Sequence, residues 1–476
     1  MTTSTLQFEL RREQALPLHR QLYQRIRDAI LAGQLPPGTR LPATRVLAAD
    51  LAVSRGTVDQ AYGQLLAEGF LLSRAAAGTV VHPQLEARRV GQLARHVVPD
   101  ASPPAQTEPR ELLQPLPFQL GLPALDAFPR KLWARLAGQR ARSLSLAGLS
   151  YPAPAGYLPL REAIAHHLAL FRGIDCRTEQ VFITNGFQGA LSIVTQTLLN
   201  TGDPVWMEDP GYFRASGALR LAGARLVPVP VDQDGLQMDE AIRRCPEARL
   251  VYCTPSHHAP LGVTLSLPRR LELLDWAQQQ GAWVVEDDYD GEFRYDGPPL
   301  PALQSLDTAS RVLYIGSFSK TLFPGLRLGY LVVPASEAAR FAEAADLFSP
   351  APSILDQATT ADFLRQGHFA RHIKRMRALY AERRAALAAA LEAECGTRLQ
   401  LDGHAVGLQL IGWLAEGEDD RAVAARLTAR GLAGQPLSHF SQQGGHPPAL
   451  LFGFANVPVE QAPALARRVR EALDGQ

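Results

Sequence analysis

Val312-Leu313-Tyr314-Ile315-Gly316-Ser317-Phe318-Ser319-Lys320, running on to Arg327, is the stretch on which the reading of this chain turns. Val312 to Ile315 is a short apolar run of the kind that forms a buried strand. It ends in glycine and serine, and a lysine follows within one turn. That placement suits an amine held for Schiff-base chemistry beside a phosphate. Lys320 supplies the amine, Ser317 and Ser319 supply hydroxyl donors, and Arg327 supplies a bidentate fork for a dianion. The chain has 48 Lys+Arg, yet only Lys131, Lys320 and Lys374 are lysines, so any amine nucleophile has three candidates. Lys131 sits among surface-like charges and Lys374 in a basic helix, where solvated side chains are the ordinary expectation.

Working outward, the 476 residues suggest about three domains, or two with one large. The 48 basic residues face 47 acidic ones, a formal +1, which excludes action through overall basicity or an acidic tail. At 46% hydrophobic and 20% charged, the chain has material for large cores. No apolar run is long enough to cross a bilayer, and Met1 to Arg11 has no secretory pattern, so a cytoplasmic protein with no membrane partner is expected. Cys176, Cys245, Cys253 and Cys395 show no metal spacing and read as small buried side chains in a reducing compartment.

Three zones follow one another. In residues 1–83, Leu18, Leu22, Ile26 and Ile30 recur at helical spacing, and Gly33 reads as the helix stop. The turn LPPGTRLP (35–42) precedes a short helix opened by Pro42 and holding Val46, Leu47 and Leu51. Ser54 reads as the N-cap of a third helix in which Val58, Leu65 and Leu66 face inward. Two β-like runs, Phe70–Leu72 and Thr79–Val81, complete a winged helix-turn-helix. Residues 84–117 are rich in Pro, Ala, Gln and Arg and read as a linker. Residues 118–476 alternate helical patterns with apolar runs at 181–183, 204–207, 250–252, 283–285 and 312–315, the signature of an α/β domain with a mainly parallel sheet. Helical patterns dominate after about Pro334, and the runs 408–410 and 450–452 suggest a smaller α+β subdomain.

A recognition helix needs short polar and basic groups at its start, where phosphates and base edges lie. Ser54, Arg55 and Thr57 stand there; Arg40 and Arg45 flank the second helix, and Thr44 can bond a phosphate. Residues 1–83 hold nine Arg and six Asp+Glu, 9 − 6 = +3. In the third zone, Val284-Val285-Glu286-Asp287-Asp288-Tyr289 puts acids at a strand end, where an electron-sink cofactor needs a carboxylate against its pyridine nitrogen. Asn185-Gly186-Phe187-Gln188 offers backbone amides at a helix start, a phosphate seat.

LPATRVLAADLAVSRGTVDQAYGQLLAEGFL (41–71), followed by AAGTVV (76–81), resembles the GntR-type winged helix-turn-helix of bacterial regulators. The resemblance implies operator contacts from Arg40, Thr44, Arg45, Ser54, Arg55, Thr57 and the wing glycine Gly78. From about Phe118 to Gln476 the blocks YPAPAGYLPLREAIA, VWMEDPGY, TPSHHAPLG, EDDYDGEFRYDG and GSFSKTLFPGLRLGY resemble fold-type I pyridoxal phosphate enzymes of the aspartate aminotransferase family, with large and small subdomains. The fusion is similar to the MocR group of transcriptional regulators. It implies pyridoxal 5'-phosphate as cofactor, operator DNA and a small-molecule amine or pyridoxal phosphate itself as partners, and a homodimer.

Carried across, Lys320 is the lysine that forms the Schiff base and Asp287 pairs with the pyridine nitrogen. Asp288 is expected to alternate to the other face of the strand. Tyr289 bonds the phenolic oxygen and Tyr212 stacks on the ring. Gly186, Phe187, Gln188, Ser317, Ser319 and Arg327 form the phosphate cup. His257 occupies the block where aminotransferases place an Asn on the phenolic oxygen. One departure matters: aminotransferases hold the substrate carboxylate with an Arg near a C-terminal strand, but no arginine lies between Arg430 and Arg467. Its absence speaks for a regulator over an active aminotransferase with an appended head, and the intact recognition helix speaks for it over a cofactor-storage or scaffold protein. Arg430 and His439 are the candidates to replace it.

Overall fold

A computed structural model describes residues 10–11, 13, 16–74, 78–85, 114–295, 297, 300–348, 351–403 and 406–475. The chain divides into two compact units, Met1–Leu113 and Gln114–Gln476. Most of the expected linker, residues 86–113, lies outside the described residues. Leu116, near its end, is tied into the larger unit: its carbonyl accepts from Asn456 Nδ2 at 2.7 Å.

The smaller unit has helices α1 (Leu18–Leu31), α2 (Thr44–Asp50) and α3 (Arg55–Ala67), then the antiparallel hairpin β1 (Leu71–Arg74) and β2 (Gly78–Val81). Its core gathers Leu22, Ile26, Leu47, Val58, Leu65 and Val81. Apart from Val81, on the hairpin, these are apolar positions of the helices turned inward. Two details differ from the sequence reading. The second helix starts at Thr44, with Pro42 in the preceding turn and Leu51 just past the end. Leu66 is only half-buried.

In the larger unit an eight-stranded sheet runs in the order β3-β10-β9-β8-β7-β4-β5-β6. The strands are β3 (Val181–Thr184), β4 (Pro204–Asp209), β5 (Arg225–Asp232), β6 (Gly235–Leu236), β7 (Leu250–Cys253), β8 (Trp283–Asp288), β9 (Val312–Ser317) and β10 (Gly329–Val332). The pairs β4–β5, β4–β7, β7–β8 and β8–β9 are parallel, while β10 runs antiparallel to both β9 and β3. Alternation along the strands sends Met207, Tyr252, Val285 and Leu313 to one face, against the helix Gly186–Leu198. Trp206, Val251, Val284 and Val312 go to the other, where Trp206 stacks on Trp276 at 3.9 Å. This double covering is what near-continuous apolar strands require.

A second sheet, β11 (Gln400–Leu401), β12 (Gln409–Trp413), β14 (Ala449–Gly453) and β13 (Gln435–Pro436), is antiparallel throughout. Phe118 bridges to Gly453 at the end of β14. Among the described residues, no helix is long and apolar enough to cross a membrane.

Candidate functional site

Parallel strands end at one edge of the sheet, and the functional side chains gather there. Lys320 lies in the single turn Phe318–Thr321 that follows β9; the Ser317 hydroxyl caps that turn, accepting from Ser319 N–H at 3.1 Å. The Lys320 amine donates to the carbonyl of Gly121 at 2.8 Å. A Cβ on Gly121 would stand 2.3 Å from Nζ, so that backbone carbonyl can approach only because the residue has no side chain. Burial lowers the lysine's pKa; the Asp290 and Asp287 carboxylates oppose that shift, and Arg214 and Arg327 add to it. A lysine so placed is a better nucleophile than a solvated one. Lys131 and Lys374 are exposed.

Asp287 and Asp288, adjacent at the end of β8, do face opposite ways. Tyr252 Oη donates to Asp287 at 2.5 Å, and the register Tyr252↔Val285 explains the meeting, since Val285 and Asp287 share a face. Burial pushes Asp287 up to about 7, while the Tyr252 hydrogen bond pulls it down. Asp288 pairs instead with buried Arg172 and accepts from Tyr314 Oη at 2.5 Å. A carboxylate buried with a single hydroxyl partner, like Asp287, suits a cationic ring nitrogen.

Tyr289 Oη lies 3.0 Å from His257 Nδ1, which also lies 2.9 and 3.0 Å from the two Asp290 oxygens. Gly186, Phe187 and Gln188 open the helix Gly186–Leu198. The Arg327 guanidinium donates to Gln188 Oε1 at 3.2 Å, joining both sides of the cup at a helix N-terminus. The Tyr212 ring sits 5.5 Å from that of Phe187. Buried Glu208, on β4, accepts from Thr254 N–H and Oγ1, and burial raises its pKa to about 8. Of the two residues considered for a carboxylate, His439 packs edge-on to Phe213 at 4.5 Å, beside Tyr212. Arg430 donates to the carbonyl of Arg426, one helical turn back.

In the smaller unit, Ser54 Oγ accepts from Thr57 N–H at 3.1 Å and lies 2.9 Å from Thr57 Oγ1, so both spend bonds on starting α3. Arg55 is exposed and pairs with Asp59 at 3.4 Å. Thr44 and Arg45 open α2. Arg40 bridges to Val80, and its guanidinium lies 3.6 Å from where a Gly78 Cβ would stand, which brings Arg40 and the wing together.

The family model for aminotransferase class I and II matches residues 134–469, and that for bacterial regulatory proteins of the gntR family matches residues 18–81. The probable rhizopine catabolism regulatory protein MocR of Rhizobium meliloti is 41% identical over 90% of this chain and 88% of its own length. The chain belongs to the MocR group of GntR-family transcriptional regulators. The pyridoxine biosynthesis regulator PdxR of Corynebacterium glutamicum, in the same group, is 32% identical over 92% of this chain and 91% of its own. Among solved structures, the α-aminoadipate aminotransferase LysN of Thermus thermophilus superposes with a TM-score of 0.70 at 31% identity, over 76% of this chain and 92% of that one. The larger unit therefore has the fold-type I aminotransferase architecture.

Sequence reasoning missed Tyr252, Asp290, Gly121 and Arg214. Asp290 stood inside the quoted EDDYDGEFRYDG block as one more acid beside Tyr289. Tyr252 needed the strand register, and Gly121 lies 199 residues from Lys320. Exposed Arg214, next to Phe213, acts electrostatically on both Lys320 and Tyr212.

Proposed function

We propose that the larger unit binds pyridoxal 5'-phosphate through Lys320 and that the smaller unit binds operator DNA, so that the cofactor or an amine reacting with it sets operator affinity. The observation that carries the reading is the buried Lys320 amine at the strand edge, with an acid, a hydroxyl pair and a phosphate cup arranged around it. The residues fit the group. Asp287 would hold a protonated pyridine nitrogen, and Tyr289 with His257 would face the phenolic oxygen. Gly186, Phe187, Gln188, Ser317, Ser319 and Arg327 would hold the phosphate, and Tyr212 would cover the ring. When bound, the cofactor supplies an aldehyde that captures amines and a ring that draws electrons from them.

Arg40, Thr44, Arg45, Ser54, Arg55, Thr57 and Gly78 are the proposed DNA contacts, with the helix start toward the groove and Arg40 and the wing toward the backbone. A homodimer is part of the reading: two-fold operators need it, and Leu146, Leu149 and Tyr151, at 87%, 70% and 98% exposure, form an apolar stretch that a second copy can cover. We place the protein in the cytoplasm, beside its DNA. Borohydride reduction followed by peptide mapping tests the cofactor claim. A reduced adduct on Lys320, lost in Lys320→Ala, is expected; an adduct on Lys131 or Lys374 overturns the assignment.

A further inference from the structure

His257, Tyr289 and Asp290 form a closed trio. His257 and Asp290 are 4% and 1% exposed. Backbone seals them: a Cβ on Gly407 would stand 2.1 Å from His257 Cε1 and 2.7 Å from Asp290 Oδ2, and Tyr295 Oη holds the Gly407 carbonyl at 2.5 Å. A single ring nitrogen, Nδ1, faces both the carboxylate and the tyrosine hydroxyl.

We propose that Asp290 is a positioning residue that fixes the His257 proton on Nδ1 and so leaves the Tyr289 hydroxyl proton free for the cofactor's phenolic oxygen. An ionised carboxylate only accepts, so Nδ1 within 2.9 Å of it must carry the proton. A protonated Nδ1 has no lone pair for Tyr289. The hydroxyl can then meet Nδ1–H only as an acceptor, and its own proton points elsewhere. Without Asp290 the ring is free to take the other tautomer, whose bare Nδ1 captures that proton. The idea rests on the cofactor reading above.

The charged and titratable groups acting on the trio are Asp287 and Asp288 from β8, Glu208 from β4, His258 beside His257, Tyr295 and Lys320, while Arg214 and Arg327 act on Lys320 in turn. Two effects of Asp290 on the bound cofactor then carry opposite signs. Its negative charge favours a proton on the lysine nitrogen, so simple loss of charge lowers the pH midpoint of the visible absorbance. Tyr289 donation stabilises a negative phenolic oxygen and favours loss of that proton, so loss of the donation raises the midpoint.

The test is a pH titration of the absorbance of the cofactor-loaded full chain. Asp290→Leu, which keeps the volume but offers Nδ1 no acceptor, should raise the midpoint by about one pH unit, as expected for one lost hydrogen bond to a charged oxygen. Asp290→Leu combined with Tyr289→Phe should match Asp290→Leu alone, since the tyrosine donation is already lost there. A lowered or unmoved midpoint, or additive shifts, overturns the proposal. A second measurement needs no cofactor. In ¹⁵N-histidine-labelled protein, with His257 assigned by its loss in His257→Gln, the proton should reside on Nδ1 and leave it in Asp290→Leu. A proton on Nε2 in the unsubstituted chain overturns the proposal. Failure to trap cofactor on Lys320 sinks the cofactor reading instead, and leaves the tautomer result standing.

Discussion

Replacing Asp287 with asparagine should make the cofactor-free protein more stable at pH 8 than the natural chain, while weakening its hold on the cofactor. Asp287 is 4% exposed, and burial, the dominant cause, pushes it up to about 7, against roughly 3.9 in an unfolded chain. The stabilising proton is fully held below about pH 4 and lost as pH rises through about 7, because between those values only the folded state keeps it. A shift of about three units corresponds to roughly 4 kcal/mol, an order-of-magnitude figure. Asparagine has the same shape, still accepts the Tyr252 hydrogen bond and cannot ionise. Glu208, raised to about 8, and Glu286, raised to about 7, both chiefly by burial, titrate in the same window, so the variant should lose only part of the pH slope. All five tryptophans lie in the larger unit, so urea unfolding followed by their fluorescence from pH 5 to 8.5 reports that unit alone. Parallel stability curves for the two proteins would refute the reasoning. With cofactor present the gap should narrow by about 1.4–2.7 kcal/mol, since the lost ion pair costs roughly ten- to a hundredfold in affinity.

Three further outcomes are expected. Arg55→Ala should weaken operator binding by about ten- to a hundredfold in a filter or anisotropy titration and leave cofactor absorbance unchanged; the exposed Asp59 pair it breaks is worth about 1 kcal/mol or less. Ser54→Ala removes the cap of α3 and should cost the smaller unit about 1 kcal/mol in a circular-dichroism melt. Gly121→Ala places a methyl 2.3 Å from the Lys320 amine at a positive-φ position, so borohydride trapping should fall.

Much of this architecture was legible because period and punctuation agreed. The spacing of Leu22, Ile26 and Ile30, the Ser54 cap and the apolar run 312–315 each point to one element, and the structure forms each of them. The unread strands had physical reasons to hide. β5 carries Pro228 and Pro230, which lower any strand reading; it tolerates them because its only other neighbour, β6, pairs with Val231 and Asp232 alone. β10 is four residues that open on glycine, and it runs against its neighbours, outside the β-α-β rhythm. The site divides likewise. Lys320, Asp287 and Arg327 announce themselves by chemistry beside a strand, whereas Tyr252 and Gly121 matter through register and close approach, which a linear pattern does not encode.

The account's central claim is that chemistry at Lys320 governs the grip of the winged unit on DNA. Its most direct test is the operator affinity of the full-length protein without cofactor, loaded with pyridoxal 5'-phosphate, and loaded and then exposed to a panel of primary amines, with Lys320→Ala in parallel. At least one step should shift affinity by about tenfold, a coupling of about 1.4 kcal/mol, and Lys320→Ala should abolish the shift. Operator affinity identical across all states of the unsubstituted protein would contradict it.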